Sequence, residues 1–246
     1  MKTYRTAQVA EIIGVHPNTV RLYEAAGLIP KPEREANGYR IFTDMHIEIF
    51  RLARIAFEIE VLQNGLRKKT VTMIQTAATC DFDTALALTE EYLSQVRTEK
   101  NNAKEAIVIA TEILSGRCAA GTLQLKRAET AALLQISTDT LRNWEMNGLL
   151  TVKRTKNGYR VYTAEDINRL KIIRALRCAN YSLAAILRML AALSGNPHAD
   201  IERALDTVKP DEDMVSACDK LLTSLQSAEQ NAKTIQKMLR ELKSKY

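Results

Sequence analysis

The chain has 246 residues, 46% hydrophobic and 26% charged, which is typical of a folded soluble protein of about two domains. Its net charge of +6 is compatible with a nucleic-acid partner but does not establish one. There is no apolar run of ~18 residues and no apolar segment behind the first Met, so we expect neither a membrane span nor a secretory signal. The four separated cysteines favour a reducing cytoplasm.

The first part of the chain predicts a helix-turn-helix. An apolar stripe runs through a short helix over 5–13, and Thr6 is placed to cap it. A turn at Gly14 leads to a second helix, which begins near Pro17 and ends at Gly27. Two short helices joined by a glycine-containing turn are typical of this motif.

A β-hairpin wing and two further helices follow. Asn37 and Gly38 form a tight-turn dipeptide, and the alternating residues 39–42 predict a short strand behind it. A third helix is expected from Thr43 to Phe57, and a fourth over 65–77.

Residues 82–115 predict one long helix with a heptad seam, which is typical of a coiled coil. Lys100 interrupts the seam with a polar group of the kind that sets register. The apolar seam positions are Leu86, Leu93, Ile107 and Leu114, with Thr89, Val96, Ala103 and Ala110 alongside.

The same order of elements then repeats. A first helix is expected over 125–134, a second from a Ser137 cap to Trp144, a wing over 149–162, a third helix over 164–177 and a fourth from 180 onward. After a loop at 195–200, residues 211–243 predict a second long helix. Its seam holds Met214, Cys218, Leu221, Leu225, Ala228, Ala232, Ile235, Leu239 and Leu242.

The repeat is also literal. The phrase at 19–28 recurs at 140–149, and the wing at 37–43 recurs at 157–163. Both copies read Thr-x-Arg-x-aromatic-Glu-x-x-Gly-Leu in the helix and Asn-Gly-Tyr-Arg-x-aromatic in the wing, and an acidic residue starts each third helix.

Each half therefore resembles the MerR (mercury-resistance regulator) family of bacterial transcription factors, over nearly the whole chain. The resemblance implies a winged helix-turn-helix that binds a palindromic promoter element in double-stranded DNA. It further implies dimerisation through an antiparallel coiled coil, distortion of the promoter, and RNA polymerase as a partner there.

The sequence departs from the family pattern in three ways. Two modules share one chain, and no separate effector-binding domain is expected behind either long helix. Leu22 and Asn143 stand where the family usually has an aromatic residue beside the helix Arg. The expectation of no effector-binding domain puts an inducer in doubt rather than DNA binding.

The candidate DNA contacts lie on the second helix and the wing of each copy, where Arg offers a planar charged fork to bases or phosphates. They are His16, Asn18, Thr19, Arg21, Tyr23, Tyr39 and Arg40, then Thr138, Asp139, Thr140, Arg142, Trp144, Lys153, Arg154, Lys156, Tyr159 and Arg160. Arg54 and Arg174 are weaker candidates for the DNA backbone.

Each candidate has a structural alternative. The residues that start the two helices, Ser137 among them, are also suited to capping. The aromatic residues Tyr23, Tyr39, Trp144 and Tyr159 are equally suited to packing, and Arg21 and Arg142 to surface ion pairs with Glu. The second copy is the more basic of the two, so we expect it to contact a polyanion more strongly. The residues that start the second helix differ between the copies, so we expect half-sites that differ in sequence.

No catalytic constellation is found, so we expect neither an enzyme nor a cofactor. The cysteines Cys80, Cys118 and Cys218 are weak candidates for a thiol or metal sensor, because a tight site needs two to four converging ligands. Two other functions stay open: an architectural or recombination-directing DNA-binding protein, and a ligand-, thiol- or metal-responsive regulator.

The fold class is predicted as mainly α, with two winged helix-turn-helix domains, each followed by a long helix, and the long helices paired antiparallel. The expected divisions are 1–78 for the first domain, 82–115 for its long helix, 116–124 for a connector, 125–194 for the second domain and 211–246 for its long helix. The connector can span up to ~33 Å. A monomeric pseudo-dimer is therefore favoured over a homodimer with four DNA-binding units.

Overall fold

A computed structural model of the chain describes residues 2–58, 65–114, 123–155, 157–194 and 214–246. Several predictions fall outside these residues: Lys156, Cys118, most of the connector, the 195–200 loop and the first three residues of the second long helix.

The first half of the chain forms a winged helix-turn-helix followed by a long helix. Its helices are α1 (Thr6–Ile13), α2 (Pro17–Ala25), α3 (Asp44–Ala56), α4 (Leu66–Ala78) and the long α5 (Phe82–Leu114). Its strands are β1 (Thr3–Tyr4), β2 (Glu33–Arg34) and β3 (Arg40–Thr43), which make an antiparallel sheet in the order β1-β3-β2.

The second half repeats this arrangement. Its helices are α6 (Arg127–Leu133), α7 (Thr138–Met146), α8 (Ala164–Cys178), α9 (Leu183–Ser194) and the long α10 (Met214–Lys245). Its strands are β4 (Gln124–Leu125), β5 (Lys153–Arg154) and β6 (Arg160–Thr163), in the sheet order β4-β6-β5. The mainly α fold with two winged modules and two long helices is confirmed.

Local capping explains where several helices begin. Ser137 caps α7 as predicted, because its Oγ accepts the Thr140 N–H at 3.0 Å. The proposed cap at Thr6 is wrong: Thr6 is the first helical residue, and Arg5 is the cap, with its N–H donating to Gln8 Oε1 at 2.8 Å. A side-chain oxygen three residues into the helix therefore satisfies this end.

The chain divides into two compact units that cut across the long helices. The first comprises Met1–Arg97 with Leu225–Tyr246, and the second comprises Thr98–Ser224. Each unit thus joins one winged module to a segment of both long helices.

In the first unit, α10 supplies part of the module's own core. Ile235, Leu239 and Leu242 are buried in the same apolar cluster as Val9, Phe42 and other residues of the winged module. Asn231 Nδ2 also donates to the carbonyl of Ile55 at 3.2 Å, at the end of α3. The first module is therefore completed by a segment that lies far away in sequence.

Within the same unit α5 and α10 run antiparallel. Three polar contacts join them, and their residue numbers rise along one helix as they fall along the other, as an antiparallel pair requires. The contacts are Lys243 with Asp83, Gln236 Nε2 with Glu90 Oε2 at 2.6 Å, and Arg97 Nε with Glu229 Oε1 at 3.7 Å. The predicted antiparallel pairing is confirmed here, with seam residues Val96, Leu225 and Leu239 fully buried.

In the second unit, the last part of α5 packs on α8. Arg174 of α8 forms a two-pronged ion pair with Glu99 of α5, and both side chains are buried. Lys171 Nζ donates to Glu105 Oε1 at 2.6 Å one turn away. The core of the winged module itself centres on Leu141, Trp144, Leu149, Tyr162 and Leu170.

None of the helices in the described part of the chain combines the length and the apolar character needed to cross a membrane.

Candidate nucleic-acid interface

Helix α2 presents one solvent-facing stripe, which we call the first recognition stripe: Asn18, Arg21, Leu22 and Ala25. Spacings of three and four residues place these exposed side chains on one face, opposite the buried Val20 and Tyr23. Arg21 Nη1 donates to Asn18 Oδ1 at 3.0 Å. Arg21 thus donates to a neutral amide oxygen, and this partner leaves its positive charge uncancelled.

Helix α7 presents the equivalent second recognition stripe: Asp139, Arg142, Asn143 and Met146, all exposed. Leu141 and Trp144 hold the opposite face in the core. Leu22 and Met146 are 64% and 76% exposed, a high value for apolar side chains. Sequence reasoning named Asn18, Arg21, Asp139 and Arg142, but it missed Leu22, Ala25, Asn143 and Met146, which the helical spacing alone would have placed beside them.

The residues in front of the two stripes act as caps. His16 Nδ1 accepts the Asn18 N–H at 3.2 Å, as Ser137 Oγ does for Thr140. The Ser137 and Thr140 hydroxyls are also 2.9 Å apart. The capping alternative thus holds for His16 and Ser137, while Thr138 is exposed beside the cap.

Tyr23 and Trp144 are core residues. They are 8% and 4% exposed, and Tyr23 stacks on Phe50 of α3 with ring centroids 4.4 Å apart. The packing alternative therefore describes both rings, and in the first module the Tyr23–Phe50 stack joins α2 to α3.

In the first module a carboxylate ties the recognition helix to the wing. Arg40, which follows the wing turn, donates through Nε to Glu24 of α2. Arg34 on the neighbouring strand lies 3.7 Å from the other Glu24 oxygen. Glu24 thus holds two wing guanidinium groups at the edge of the recognition helix.

The second module repeats this contact and adds to it. Glu145 receives Arg160 Nε at 2.5 Å and lies 3.5 Å from Arg127 Nη2. It also accepts the hydroxyl of Tyr162, and burial together with this hydrogen bond raises the pKa of Tyr162 to about 12. The tyrosine therefore stays protonated as a donor at any physiological pH.

Glu24 and Glu145 are residues of this candidate interface that sequence reasoning passed over. The available signal was their recurrence at the same place in both copies of the phrase, together with the wing residues Arg40 and Arg160, which also recur. The structure shows that the repeated Glu of each copy forms an ion pair with the repeated Arg of its own wing.

The wing turns leave their tyrosines in solvent. Tyr39 and Tyr159 are 64% and 71% exposed, so the packing alternative is wrong for both. Asn37 Oδ1 accepts the Tyr39 N–H at 3.0 Å, and the Arg5 guanidinium sits 5.4 Å from the Tyr39 ring centroid. Both side chains therefore lie in solvent, each with a hydroxyl group that can donate a hydrogen bond.

The two wings differ in charge on the outer strand. In β2 the exposed pair is Glu33–Arg34, whereas in β5 it is Lys153–Arg154. Glu35 follows β2 and forms an ion pair with Arg5 at 2.6 Å, which together with a hydrogen bond from Asn37 lowers the Glu35 pKa. The first wing is thus partly neutralised by its own carboxylates, whereas Lys153 and Arg154 of the second wing form no ion pair with any residue that the structure describes.

A cleft of about 500 Å³ opens beside the first recognition stripe. It lies between α2, the wing and the end of α4, and its charged lining is Arg21, Lys31, Arg40 and Glu24. Three cations against one carboxylate make this concavity attractive to a phosphate group.

The third helices of the two modules, α3 and α8, differ in whether their candidate Arg is exposed. Arg54 is exposed on α3, as a contact with the DNA backbone requires. The equivalent prediction for Arg174 is wrong, because that side chain is 5% exposed and both its terminal nitrogens are engaged by Glu99. The positive charge of Arg174 is paired inside the protein and does not face solvent.

Comparison with known proteins identifies the family that this chain matches. A model of the MerR family regulatory protein matches residues 5–42, and a model of the MerR HTH family regulatory protein matches residues 126–193. A probable heavy metal-dependent transcriptional regulator of Haemophilus influenzae is 35% identical over 112 residues, which cover 45% of this chain and 80% of that protein. The chain belongs to the MerR family.

Other MerR-family relatives align over shorter stretches. The mercuric resistance operon regulatory protein of Bacillus cereus is 30% identical over 77 residues, 31% of this chain and 58% of its own length. The regulator ZntR of Escherichia coli K12 is 36% identical over 64 residues, 26% of this chain and 45% of its own length. The chain thus spans only about half the length of these two relatives, and no solved structure matches it.

The names of these relatives draw attention to the cysteines of this MerR-family chain. Cys80 is exposed, with its Sγ 3.4 Å from Met45 Sδ, and Cys178 is buried. Burial, with the Glu99 charge beside it, raises the pKa of the Cys178 thiol to about 12, so it is a poor nucleophile and metal ligand. Cys118 and the Cys218 side chain lie outside the described residues, and no group of three His, Cys, Asp or Glu is placed to hold a metal among the residues described.

Proposed function

We propose that this MerR-family chain is a sequence-specific DNA-binding transcriptional regulator in which one polypeptide supplies both DNA-reading modules. The observation that carries the proposal is the occurrence, twice in one chain, of an Arg-bearing exposed stripe beside a wing whose Arg is held at the same edge. The predicted divisions at 1–78 and 125–194 are proposed as the two modules.

Each stripe has the chemistry of a helix that enters the major groove. Arg21 and Arg142 can donate two parallel hydrogen bonds to the O6 and N7 acceptors of guanine. The wing residues Arg40, Arg160, Tyr39 and Tyr159 are suited to phosphate oxygens, which position the module without reading sequence. Glu24 and Glu145 fix the distance between these two kinds of contact.

The two stripes are suited to different bases. Leu22 offers the first module an apolar contact with the methyl group of thymine, while Asn143 in the same place of the second stripe is suited to the N6 and N7 atoms of adenine. Asp139 can accept from the N4 amino group of cytosine, where the first stripe has Asn18. The proposed operator is therefore a pseudo-palindrome with unequal half-sites.

The proposal includes a pseudo-dimer formed by a single chain. It is supported by the antiparallel contacts of α5 and α10 within the first unit, and by the burial of Leu239 and Leu242 in the core of the first winged module. In light scattering we expect the 27.6 kDa mass of one chain. Twice this mass across the micromolar range would contradict the single-chain arrangement.

Distortion of promoter DNA and contact with RNA polymerase are proposed on the family resemblance. Chemical probing of unstacked bases in the promoter spacer, with and without the protein, measures the distortion. A spacer that reacts identically in both states would remove this part of the proposal and leave DNA binding intact.

The central test is a binding titration at moderate salt with DNA from upstream of the protein's own gene. Arg21→Ala and Arg142→Ala should each weaken specific binding by about 1–3 kcal/mol, and each should relax preference in its own half-site. Arg240→Ala, an exposed change on α10, is the matched control and should bind normally. Unchanged binding by the double variant would refute the proposal, and weak binding spread evenly over a genome would favour an architectural role.

A further inference from the structure

The second unit contains a buried ion pair between a long helix and a winged module. Arg174 Nη1 and Nη2 of α8 donate to the two carboxylate oxygens of Glu99 at 2.7 and 2.8 Å. Glu99 is 3% and Arg174 5% exposed, so both charges have left water. Such pairs contribute little net stability, because desolvation offsets their attraction, but loss of one partner is strongly unfavourable.

Glu99 occupies a heptad position that is otherwise apolar in α5. Ala85, Tyr92 and Ala106 lie one or two heptads away on the same line, and all three are buried. A charge at such a position specifies the partner more than it stabilises the pair.

The internal repeat shows what the other half of the chain has at these places. Aligned wings make Arg54 of α3 the counterpart of Arg174, and Arg54 is exposed. The Asn-Ala-Lys sequence at 102–104 recurs at 231–233 and makes Ala228 the counterpart of Glu99. Ala228 is 1% exposed, so α10 has a small apolar side chain where α5 has the carboxylate.

We infer that the Glu99–Arg174 pair selects which long helix covers the second module, so that the two halves of one chain pair with each other and not with a second copy. The inference rests on the single-chain arrangement proposed above. In an exchanged dimer, α10 of one copy would pair with α10 of another and cover its second module. Ala228 would then face Arg174, and a buried guanidinium would have no carboxylate.

The test moves the carboxylate from one long helix to the other in the full-length chain. In Glu99→Ala with Ala228→Glu, the single-chain arrangement leaves Arg174 unpaired, and the exchanged dimer restores its partner. After refolding from urea at micromolar concentration, this variant should show a fraction at twice the 27.6 kDa mass that grows with concentration. The unaltered chain, refolded in parallel, should remain at one chain mass.

A second variant covers the case in which the first fails to fold. Glu99→Leu with Arg174→Leu removes both charges and keeps an apolar contact, so it should fold with near-normal stability yet lose its preference and give both masses. One chain mass for either folded variant at every concentration would overturn the inference. Twice the mass for the unaltered chain would instead refute the single-chain arrangement, so the two failures are distinguishable.

Discussion

At the scale of single residues, Glu24 and Glu145 decide how each recognition helix is held against its wing. Glu24 contacts Arg34 and Arg40, whereas Glu145 contacts Arg127 and Arg160 and also accepts the Tyr162 hydroxyl. In the proposed function the helix contacts bases and the wing contacts phosphates, so their mutual placement is part of the proposed binding geometry.

Glu145→Gln should cost about 1–3 kcal/mol of unfolding free energy, because it weakens charge-assisted hydrogen bonds to half-buried partners. Glu24→Gln is the matched change and should cost less, because Glu24 has fewer partners and its module has Phe42 in place of Tyr162. Urea titrations followed by circular dichroism measure both. Equal costs would show that the extra partners of Glu145 do not matter.

A second residue-scale difference separates the starts of α3 and α8. His46 Nδ1 accepts the Thr43 N–H at 3.0 Å, whereas Asp166 accepts the Thr163 N–H at 2.8 Å in the other module. Burial lowers the pKa of His46 below its usual 6.5, with a nearby backbone carbonyl and Glu33 acting weakly in the other direction. The folded protein therefore holds this imidazole neutral, as an acceptor.

The free energy of unfolding should fall as pH drops below about 6.5, because the unfolded chain then takes up a proton at His46 that the folded chain does not bind. Urea midpoints at pH 7.5 and 5.5 measure the loss. His46→Asp copies the cap of the second module and should remove most of this dependence, since its carboxylate stays ionised over that range. The same pH dependence in that variant would place the effect elsewhere.

At the scale of elements, the two wings are the same hairpin with different electrostatics. Both have a strand pair in the same register, with Arg34 opposite Arg40 and Arg154 opposite Arg160. The preceding residue is Glu33 in one and Lys153 in the other. Because the two wings share a backbone and carry opposite charges at this position, exchanging the charged residue tests what the wing contributes to DNA binding.

Lys153→Glu should weaken DNA binding and reduce the slope of log affinity against log salt by ~0.9 for each DNA phosphate that the variant no longer neutralises. Glu33→Lys should act in the opposite sense in the first module. Lys237→Glu on α10 makes the same charge change at a side chain that is 79% exposed and far along the chain from both wings. If it matches Lys153→Glu in size, net charge and not the wing is responsible.

The elements themselves were largely predictable from sequence, because apolar spacing, caps and turn glycines all point to the same boundaries. α5 was predicted at 82–115 and is Phe82–Leu114. The strands β1 and β4 were not predicted, since two residues are too few to show alternation. In the long helix the decisive polar residue was taken to be Lys100, while the buried charge is its neighbour Glu99.

The side-chain pairs of the candidate site were harder to predict from the sequence. Arg40 and Glu24 are 16 residues apart, and Arg174 and Glu99 are 75 apart. Spacing rules within one helix cannot reach such partners. The exposure of Arg54 against the burial of Arg174, two residues in equivalent places of the repeat, depends on what packs over them and not on local sequence.

At the scale of the whole molecule, the first winged module depends on a segment more than a hundred residues away. Leu239 has no exposed surface and belongs to the cluster that contains Val9, Val20 and Phe50. The stability of this winged module is therefore a property of the folded chain and not of its first hundred residues.

Leu239→Ala should cost about 2–5 kcal/mol, because it leaves a cavity in that cluster. Amide hydrogen exchange should speed up in α1, α2 and α3 as well as in α10. Arg240→Ala, the exposed neighbour, should leave exchange unchanged. If faster exchange in the Leu239 variant stays within α10, this segment packs on the surface of the module and is not part of its core.

This arrangement also sets an order of events during synthesis. A ribosome finishes residues 1–97 well before it makes 225–246, so the apolar surface that Leu239 and Leu242 will cover has no partner in the meantime. A chain released before residue 225 would lack the α10 segment that completes the core of the first module. Completion of the first module's core is thereby made conditional on synthesis of the chain as far as Leu242.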